Sequence, residues 1–290
     1  MKDICCIGHI TLDKIITPEE EFYQNGGTAY YFAYGMNHLP TNVSWQLVTS
    51  IAEKDIAVVD KMLEDGIDVL AYPSKDTVFF ENKYGVNMDH RTQRVLARSA
   101  PFTIDQLKDV EARVFHLGSL MADDFAPEVV EYLATKGDVS IDVQGYMRMV
   151  KGEQVLSTEW KDKLRLLKHT AILKVNEWEC QTLTGMDDPY VAAKQIHEWG
   201  VREVIITLGG GGSVIYADGQ FFETPAYPPS RLVDATGCGD TYSAGYLYAR
   251  AKGMSYAESG QFAAAMCTLK LEHTGPFDRT IEDVRRILAK

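Results

Sequence analysis

The chain has 290 residues, 46% hydrophobic and 24% charged, a globular composition with ample apolar material for a large core. Its formal net charge of −12 argues against binding to nucleic acid or to an anionic membrane surface, although backbone N–H groups and a bound metal can still offset charge around a small anionic substrate. Five cysteines, an odd number with no C-x-x-C pair, point away from a disulfide framework or a zinc site and toward a reduced, cytoplasmic protein.

The apolar run at the N-terminus is shorter than a signal peptide needs, and no segment has the length of a membrane span. Short, β-rich apolar runs predict strands at 3–8, 43–48, 114–117, 139–143, 171–175 and 204–208. Helical spacing fills most of the intervals, at 29–38, 55–65, 127–135, 177–184 and 190–199. Asp188-Pro189 opens the last of these and Gly200 closes it: a cap, a first-turn proline and a terminal glycine in the expected order. This alternation predicts an α/β fold with a mostly parallel sheet and helices on both faces. The C-terminal part reads instead as helices, at 240–252, 255–271 and 280–288, the second opened by a capping box, Ser255-x-x-Glu258. With no long linker or repeat, residues 1–290 are expected to form one domain.

Two stretches break the alternation, residues 14–24 and 76–98. The second has strand-like pieces at 77–80 and 92–97 around a polar turn. Together they predict a small β-sheet outside the main one. Such a sheet can be a lid over a pocket or a plain surface hairpin, and the residues do not separate the two.

Several nucleotide and metal motifs are absent. No G-x-G-x-x-G follows the first strand, and neither G-x-x-x-x-G-K-[ST] nor H-E-x-x-H occurs. Three other features remain. Thr207-Leu208 leads into four glycines, Gly209 to Gly212, at the end of a strand, where open backbone can approach a phosphate or merely turn between two strands. Asn176-Glu177-Trp178-Glu179 also ends a strand and starts a helix. Its oxygens suit Mg²⁺ or its waters, and equally suit a helix cap. The third is Asp234-Ala235-Thr236-Gly237-Cys238-Gly239-Asp240. Gly237, Cys238 and Gly239 can present N–H groups to an anion, and Asp240 can accept a proton or cap the helix. Phosphoryl transfer needs these parts: N–H donors, a metal across the phosphates and a carboxylate beside the acceptor hydroxyl.

Over nearly its whole length the chain resembles the PfkB-type, ribokinase-like carbohydrate kinases. The most specific part is Asp234-Ala-Thr-Gly-Cys-Gly-Asp240-Thr-Tyr-Ser-Ala-Gly, supported by Asn176-x-x-Glu179, by Thr207-Leu208-Gly209 with Gly212, and by Gly26-Gly27 before the first helix. The resemblance implies a three-layer α/β/α sandwich with a β-lid, and an ATP-dependent kinase acting on a hydroxyl of a sugar or polyol. It implies Asp240 as catalytic base and Gly237, Cys238 and Gly239 as the anion hole. Asn176 and Glu179 would organise Mg²⁺ and phosphates, Glu179 through water. Thr207, Gly209 and Gly212 would contact nucleotide. Asp234 and Thr236 would frame a site for a monovalent cation such as K⁺. Asp13 and Gly27 would contact the sugar, and the two irregular stretches would form the lid, through which such a chain can dimerise.

The chain departs from that pattern in two places. Tyr31 stands where many sugar kinases of the family carry Asn, so it either meets the acceptor or packs against the lid. The run Asp142-Val143-Gln144-Gly145-Tyr146-Met147-Arg148 is closer to inositol kinases of the family, a hint toward a cyclic polyol that brings Gln144 into the acceptor set. Arg148, like Arg91 and Arg94, can instead pair with surface acids. A nucleoside or vitamin-like ring alcohol is the alternative acceptor, and a noncatalytic ligand sensor is the alternative from another class. His9, His38, His90 and His116 have no ligand spacing.

Overall fold

The computed structural model describes residues 1–85 and 91–289. Its strands are β1 (Lys2–Gly8), β2 (Thr11–Ile16), β3 (Glu21–Gly26), β4 (Trp45–Ala52), β5 (Val69–Ser74), β6 (Val78–Tyr84), β7 (Arg91–Ala97), β8 (Ala112–Gly118), β9 (Asp138–Asp142), β10 (Arg148–Lys151), β11 (Gln154–Ser157), β12 (Ile172–Asn176), β13 (Glu203–Thr207), β14 (Ser213–Ala217) and β15 (Gln220–Thr224). Its helices are α1 (Thr28–Asn37), α2 (Ala57–Glu64), α3 (Ile104–Leu107), α4 (Pro127–Ala134), α5 (Lys163–Leu166), α6 (Glu177–Thr184), α7 (Pro189–Glu198), α8 (Cys238–Ala251), α9 (Tyr256–Lys270) and α10 (Ile281–Leu288).

Nine strands form one sheet in the order β15-β14-β13-β12-β9-β8-β1-β4-β5. All neighbours are parallel except the two pairs that β14 makes. Strand β1 shows why the sheet is covered on both faces. Successive side chains of a strand point to opposite sides. Ile4 and Cys6 enter a core with Phe32 of α1, Tyr246 of α8, Met266 of α9 and Val284 of α10. Cys5 and Ile7 enter the opposite core with Val130 of α4, Leu183 of α6 and Ile196 of α7. The result is a helix–sheet–helix sandwich. All five cysteines are free thiols, and burial pushes Cys5 up to about 12.

The six strands predicted as the sheet's core all form. Strand β5 and the β14–β15 hairpin add to them. The hairpin turns on Asp218 and Gly219, both with positive φ (51° and 74°). Asp-Gly flanked by apolar residues is a strong two-residue turn signal, overshadowed in the sequence by the glycine run just before it. Helix α8 starts at Cys238, two residues ahead of the predicted start, because Gly237 takes the left-handed conformation and serves as N-cap.

The two irregular stretches lie in a second sheet, ordered β10-β11-β7-β6-β2-β3. It is larger than expected, because the β10–β11 hairpin joins it through Gln154 opposite Arg94. Lys14 pairs with Glu21 (3.1 Å), and Arg94 pairs with Glu81 (3.0 Å) and with Glu153. Arg94 therefore meets surface acids. His90 and the side chain of Arg91 lie outside the described residues. No helix among the described residues is long and apolar enough to cross a membrane.

Helix α8 is tied back to the sheet. The buried Tyr246 hydroxyl donates to Glu203 Oε2 on β13 (2.7 Å), and Arg250 donates to the same carboxylate (3.3 Å). A hydrogen bond to a charged group contributes about 1.5–3 kcal/mol. Tyr246→Phe is therefore expected to lower unfolding stability by about that much in urea titrations; an unchanged midpoint would remove this anchor from the account.

Candidate active site

The candidate residues gather at the C-terminal ends of the parallel strands, where open α/β sheets place their ligands. Asp142 ends β9, Asn176 ends β12 and Thr207 ends β13. A cavity of about 570 Å³ opens there, lined by Asp13, Gly27, Tyr31, Asp142, Gln144, Arg148, Lys174, Asn176, Glu179, Thr236, Gly237 and Asp240, among others. A second cavity of about 590 Å³ adjoins it, and Thr207, Gly209, Ala235 and Gly239 line both. The first is mainly polar. The second is walled by Tyr227, Pro228, Pro229, Leu232, Tyr242 and Leu271, with Gly212 at its edge.

Helix α8 brings its first turn to the junction. Gly237 has φ 76°, and a Cβ there would lie 2.2 Å from the Tyr31 ring, so only glycine fits. The aromatic ring of Tyr31 is the floor under this turn. Tyr31 is buried as well as cavity-lining, which gives it a packing role beside any contact with an acceptor. The Cys238 N–H donates to Ala235 O (3.1 Å) and is already engaged. Gly239 and Asp240 follow as the second and third helical residues. Their N–H groups lie outside the helix's own carbonyl ladder and form the positive end of its dipole, the Asp240 N–H meeting its own carboxylate.

A charge cluster lies below. Lys174 Nζ is 2.5 Å from Asp142 Oδ2, and both side chains are buried. Gly239 sits directly over this lysine: a Cβ there would be 3.3 Å from Nζ. Burial disfavours the charged lysine, yet Asp142, Glu179 and Asp240 outweigh it and push Lys174 up to about 12. Burial also works against the Asp142 carboxylate, and Lys174 holds it below the usual range. Asp240 responds in the opposite direction. Burial first, then the Asp142 charge, push it up to about 8, while Lys174 and Arg148 partly offset this.

Asn176 and Glu179 form a reciprocal capping box on α6. Asn176 Oδ1 accepts from Glu179 N (2.8 Å), and Glu179 Oε2 accepts from Asn176 N (2.9 Å). The structural alternative for this motif is thus real, but both residues also line the polar cavity. Burial and the nearby Asp142 raise the Glu179 carboxyl. Among the described residues no cluster of three or more His, Cys, Asp or Glu could hold a metal ion unaided. One half-open carboxylate fits an ion that stays largely hydrated and is held through phosphates, as Mg²⁺ is.

At the far end of the polar cavity, Asp13 Oδ1 accepts from the Thr11 hydroxyl (2.8 Å). Gly27 turns the chain there at φ 90°, where a Cβ would strike His9 O at 2.5 Å. Gln24, Asn82 and Gln93 line the same end, with Gln93 donating to Asn82 Oδ1 (2.9 Å). Asp234 sits behind the turn that opens α8. Its Oδ1 accepts from Thr236 N (2.9 Å), and the Lys270 ammonium lies 3.5 Å from Oδ2. Of the histidines, His9 stacks on Phe102 and His116 on Phe32, both buried in the core.

Sequence reasoning missed Lys174, Lys270 and the amide set Gln24, Asn82 and Gln93. A signal existed for the lysines. Each interrupts an apolar run, Ile172-Leu173-Lys174-Val175 and Cys267-Thr268-Leu269-Lys270. A charge on a buried face needs a partner.

Residues 98–282 match the pfkB family carbohydrate kinases. The chain belongs to this family. A cytidine kinase of Thermococcus kodakarensis is 27% identical over 97% of this chain and all of its own. A nucleoside kinase of Methanocaldococcus jannaschii is 24% identical over 95% of this chain and 92% of its own. A pyrophosphate-dependent kinase in the ribokinase family superposes with a TM-score of 0.87 at 28% identity, covering 97% of this chain and 99% of that one. A related structure of a pyrophosphate-dependent kinase, complexed with a pyrophosphate analogue and myo-inositol, has a TM-score of 0.86 at 26% identity over 98% and 99% of the two chains. The protein is therefore a ribokinase-fold kinase that phosphorylates an alcohol hydroxyl of a small molecule.

Lys174→Met would leave Asp142 buried without its partner, at an expected cost of about 3–5 kcal/mol. Adding Asp142→Leu should recover most of that loss. Urea unfolding of the two variants checks this, and a double variant no more stable than the single would refute the pairing argument.

Proposed function

We propose that this kinase transfers the γ-phosphoryl group of ATP to a hydroxyl of a neutral sugar or cyclic polyol, with Asp240 as base. The observation that carries the reading is the junction of the two cavities at Gly239, with Asp240 on the polar side. An acceptor in the polar cavity and a nucleoside in the apolar one would meet at the first turn of α8. The acceptor oxygen attacks phosphorus, the bond to the ADP oxygen breaks, and Asp240 takes the hydroxyl proton. N–H groups at the start of α8 stabilise the charge on the transferring group. Glu179 and Asn176 would hold a hydrated Mg²⁺ through water, and the ion would supply neutralisation of phosphate charge. The second sheet acts as the lid that excludes water from this junction.

The donor reading rests on the apolar cavity. Pyrophosphate has no apolar part to bury, whereas a purine does, and Leu232 and Tyr227 offer it a wall. The acceptor reading rests on Asp13, Gln24, Asn82, Gln93 and Gln144, which present a carboxylate and four amides to one end of the cavity. That set suits several hydroxyls. The cations Lys174 and Arg148 are countered there by Asp142, Glu179 and Asp240, which disfavours an anionic acceptor. A nucleoside acceptor is the second reading, favoured by Phe80 and Tyr84 in the cavity wall and by the nucleoside-phosphorylating relatives.

The decisive experiment follows product release with ATP or pyrophosphate as donor across inositols, sugars, sugar acids and nucleosides. ATP with a neutral polyol or sugar is expected to turn over. Asp240→Asn should keep its fold and nucleotide affinity and lose about 10²–10⁴-fold in turnover. Faster turnover with pyrophosphate would overturn the donor assignment, and near-normal turnover of the variant would remove Asp240 as base.

The pH profile gives an independent check. A base acts only when deprotonated. With Asp240 pushed up to about 8, kcat/KM should rise through that pH and level off above it. Asp142→Asn removes a neighbouring negative charge and should move this limb to lower pH. A limb that stays in place would separate the rising activity from Asp240.

A further inference from the structure

Lys270 is the last residue of α9 and has no solvent exposure. Its ammonium lies 3.2 Å from Asp234 O, 3.5 Å from Asp234 Oδ2 and 3.3 Å from His273 O. Three oxygens thus meet three N–H donors. Two of the oxygens are backbone carbonyls, the kind of ligand that replaces the hydration shell of a monovalent cation. The remaining carboxylate oxygen, Asp234 Oδ1, is engaged by Thr236 N. The same segment is held a second time just past the end of α9, since Val233 N donates to Leu271 O (2.8 Å). Asp234 lies three residues before Gly237. The ammonium therefore fixes the strand of chain that enters the first turn of α8.

The Asp234 oxygens offered to a free cation are those already facing the Lys270 ammonium. A second positive ion among them would be repelled by the first. The residues present do not fit a free monovalent ion. We propose that Lys270 is a tethered cation, a positioning residue that organises residues 234–236 so that the kinase needs no K⁺. The proposal rests on the phosphoryl-transfer reading of residues 237–240. It narrows that reading, because the chain itself supplies the positive charge.

The test compares KCl, NH₄Cl and N-methyl-D-glucamine chloride at equal ionic strength. For the native chain, turnover is expected to agree within about twofold, and the melting temperature of the ligand-free protein should not depend on the cation. Lys270→Met replaces the ammonium with a neutral chain of similar length. In N-methyl-D-glucamine chloride it is expected to lose about tenfold or more in turnover. KCl or NH₄Cl should restore part of that loss and raise the variant's melting temperature. Stimulation of the native chain by K⁺ of more than about fivefold overturns the proposal. So does a loss in Lys270→Met that neither ion restores, which would make Lys270 only structural. Should the variant fail to fold, the native chain's response to K⁺ still decides. Should the native chain turn over no acceptor, the phosphoryl-transfer reading fails, and its melting temperature in the three chloride salts still decides the cation question.

Discussion

The buried contact between Lys174 and Asp142 governs the site. Two opposite charges taken out of water are costly unless they compensate each other closely. Here they do so at 2.5 Å, between the end of β9 and the middle of its parallel neighbour β12. Because β9 and β12 are locked in register, with Lys174 opposite Asp142, the pair needs no loop to hold it. Gly239 then rests on the lysine, and Asp240 follows it. The position of the first turn of α8, and the electrostatics of its carboxylate, thus descend from one pair in the central sheet.

That arrangement reconciles the two roles that a carboxylate at a helix start can play. As an acid in the first turn, Asp240 benefits from the helix dipole. As a base, it needs a pKa close to working pH. The dipole and the two cations lower it, while burial and Asp142 raise it further. The net is a carboxyl poised to exchange protons rather than one permanently ionised. A carboxylate serving only as a cap would gain from the lowering contributions alone.

The sandwich was legible because periodicity marks faces. Cys5 and Cys6, adjacent in sequence, divide between two cores, as a strand buried on both sides requires. The position of Asp240 was legible because Gly237 and Gly239 permit close approach and an acid follows them. The amide-lined end of the polar cavity was much less legible. Asn82 and Gln93 come from β6 and β7, Gln24 from β3 and Gln144 from the segment before β10. Only the pairing of a second sheet brings these amides to one cavity, and isolated amides leave no spacing pattern along a chain. The capping box of Asn176 and Glu179 exposes the opposite difficulty. A local motif explains every hydrogen bond seen there, yet the strand end that hosts it also faces the cavity.

A chain with a net charge of −12 must still receive a polyanionic donor. Long-range attraction cannot be the means, since the overall field opposes an anion. The positive potential has to be local, fixed and shielded from bulk water. Two buried lysines lie on different sides of one turn, Lys174 beneath Gly239 and Lys270 behind Asp234, each matched by an acid. Both are held by side-chain and backbone oxygens of the chain itself, so neither has to be recruited from solvent. The N–H groups of α8 add fixed partial charges between them. Preorganised charge of this kind needs no rearrangement when a phosphoryl group arrives. Its cost is borne in folding, as buried cations that must be matched by Asp142 and Asp234, and this cost accounts for the presence of acids so close to the first turn of α8.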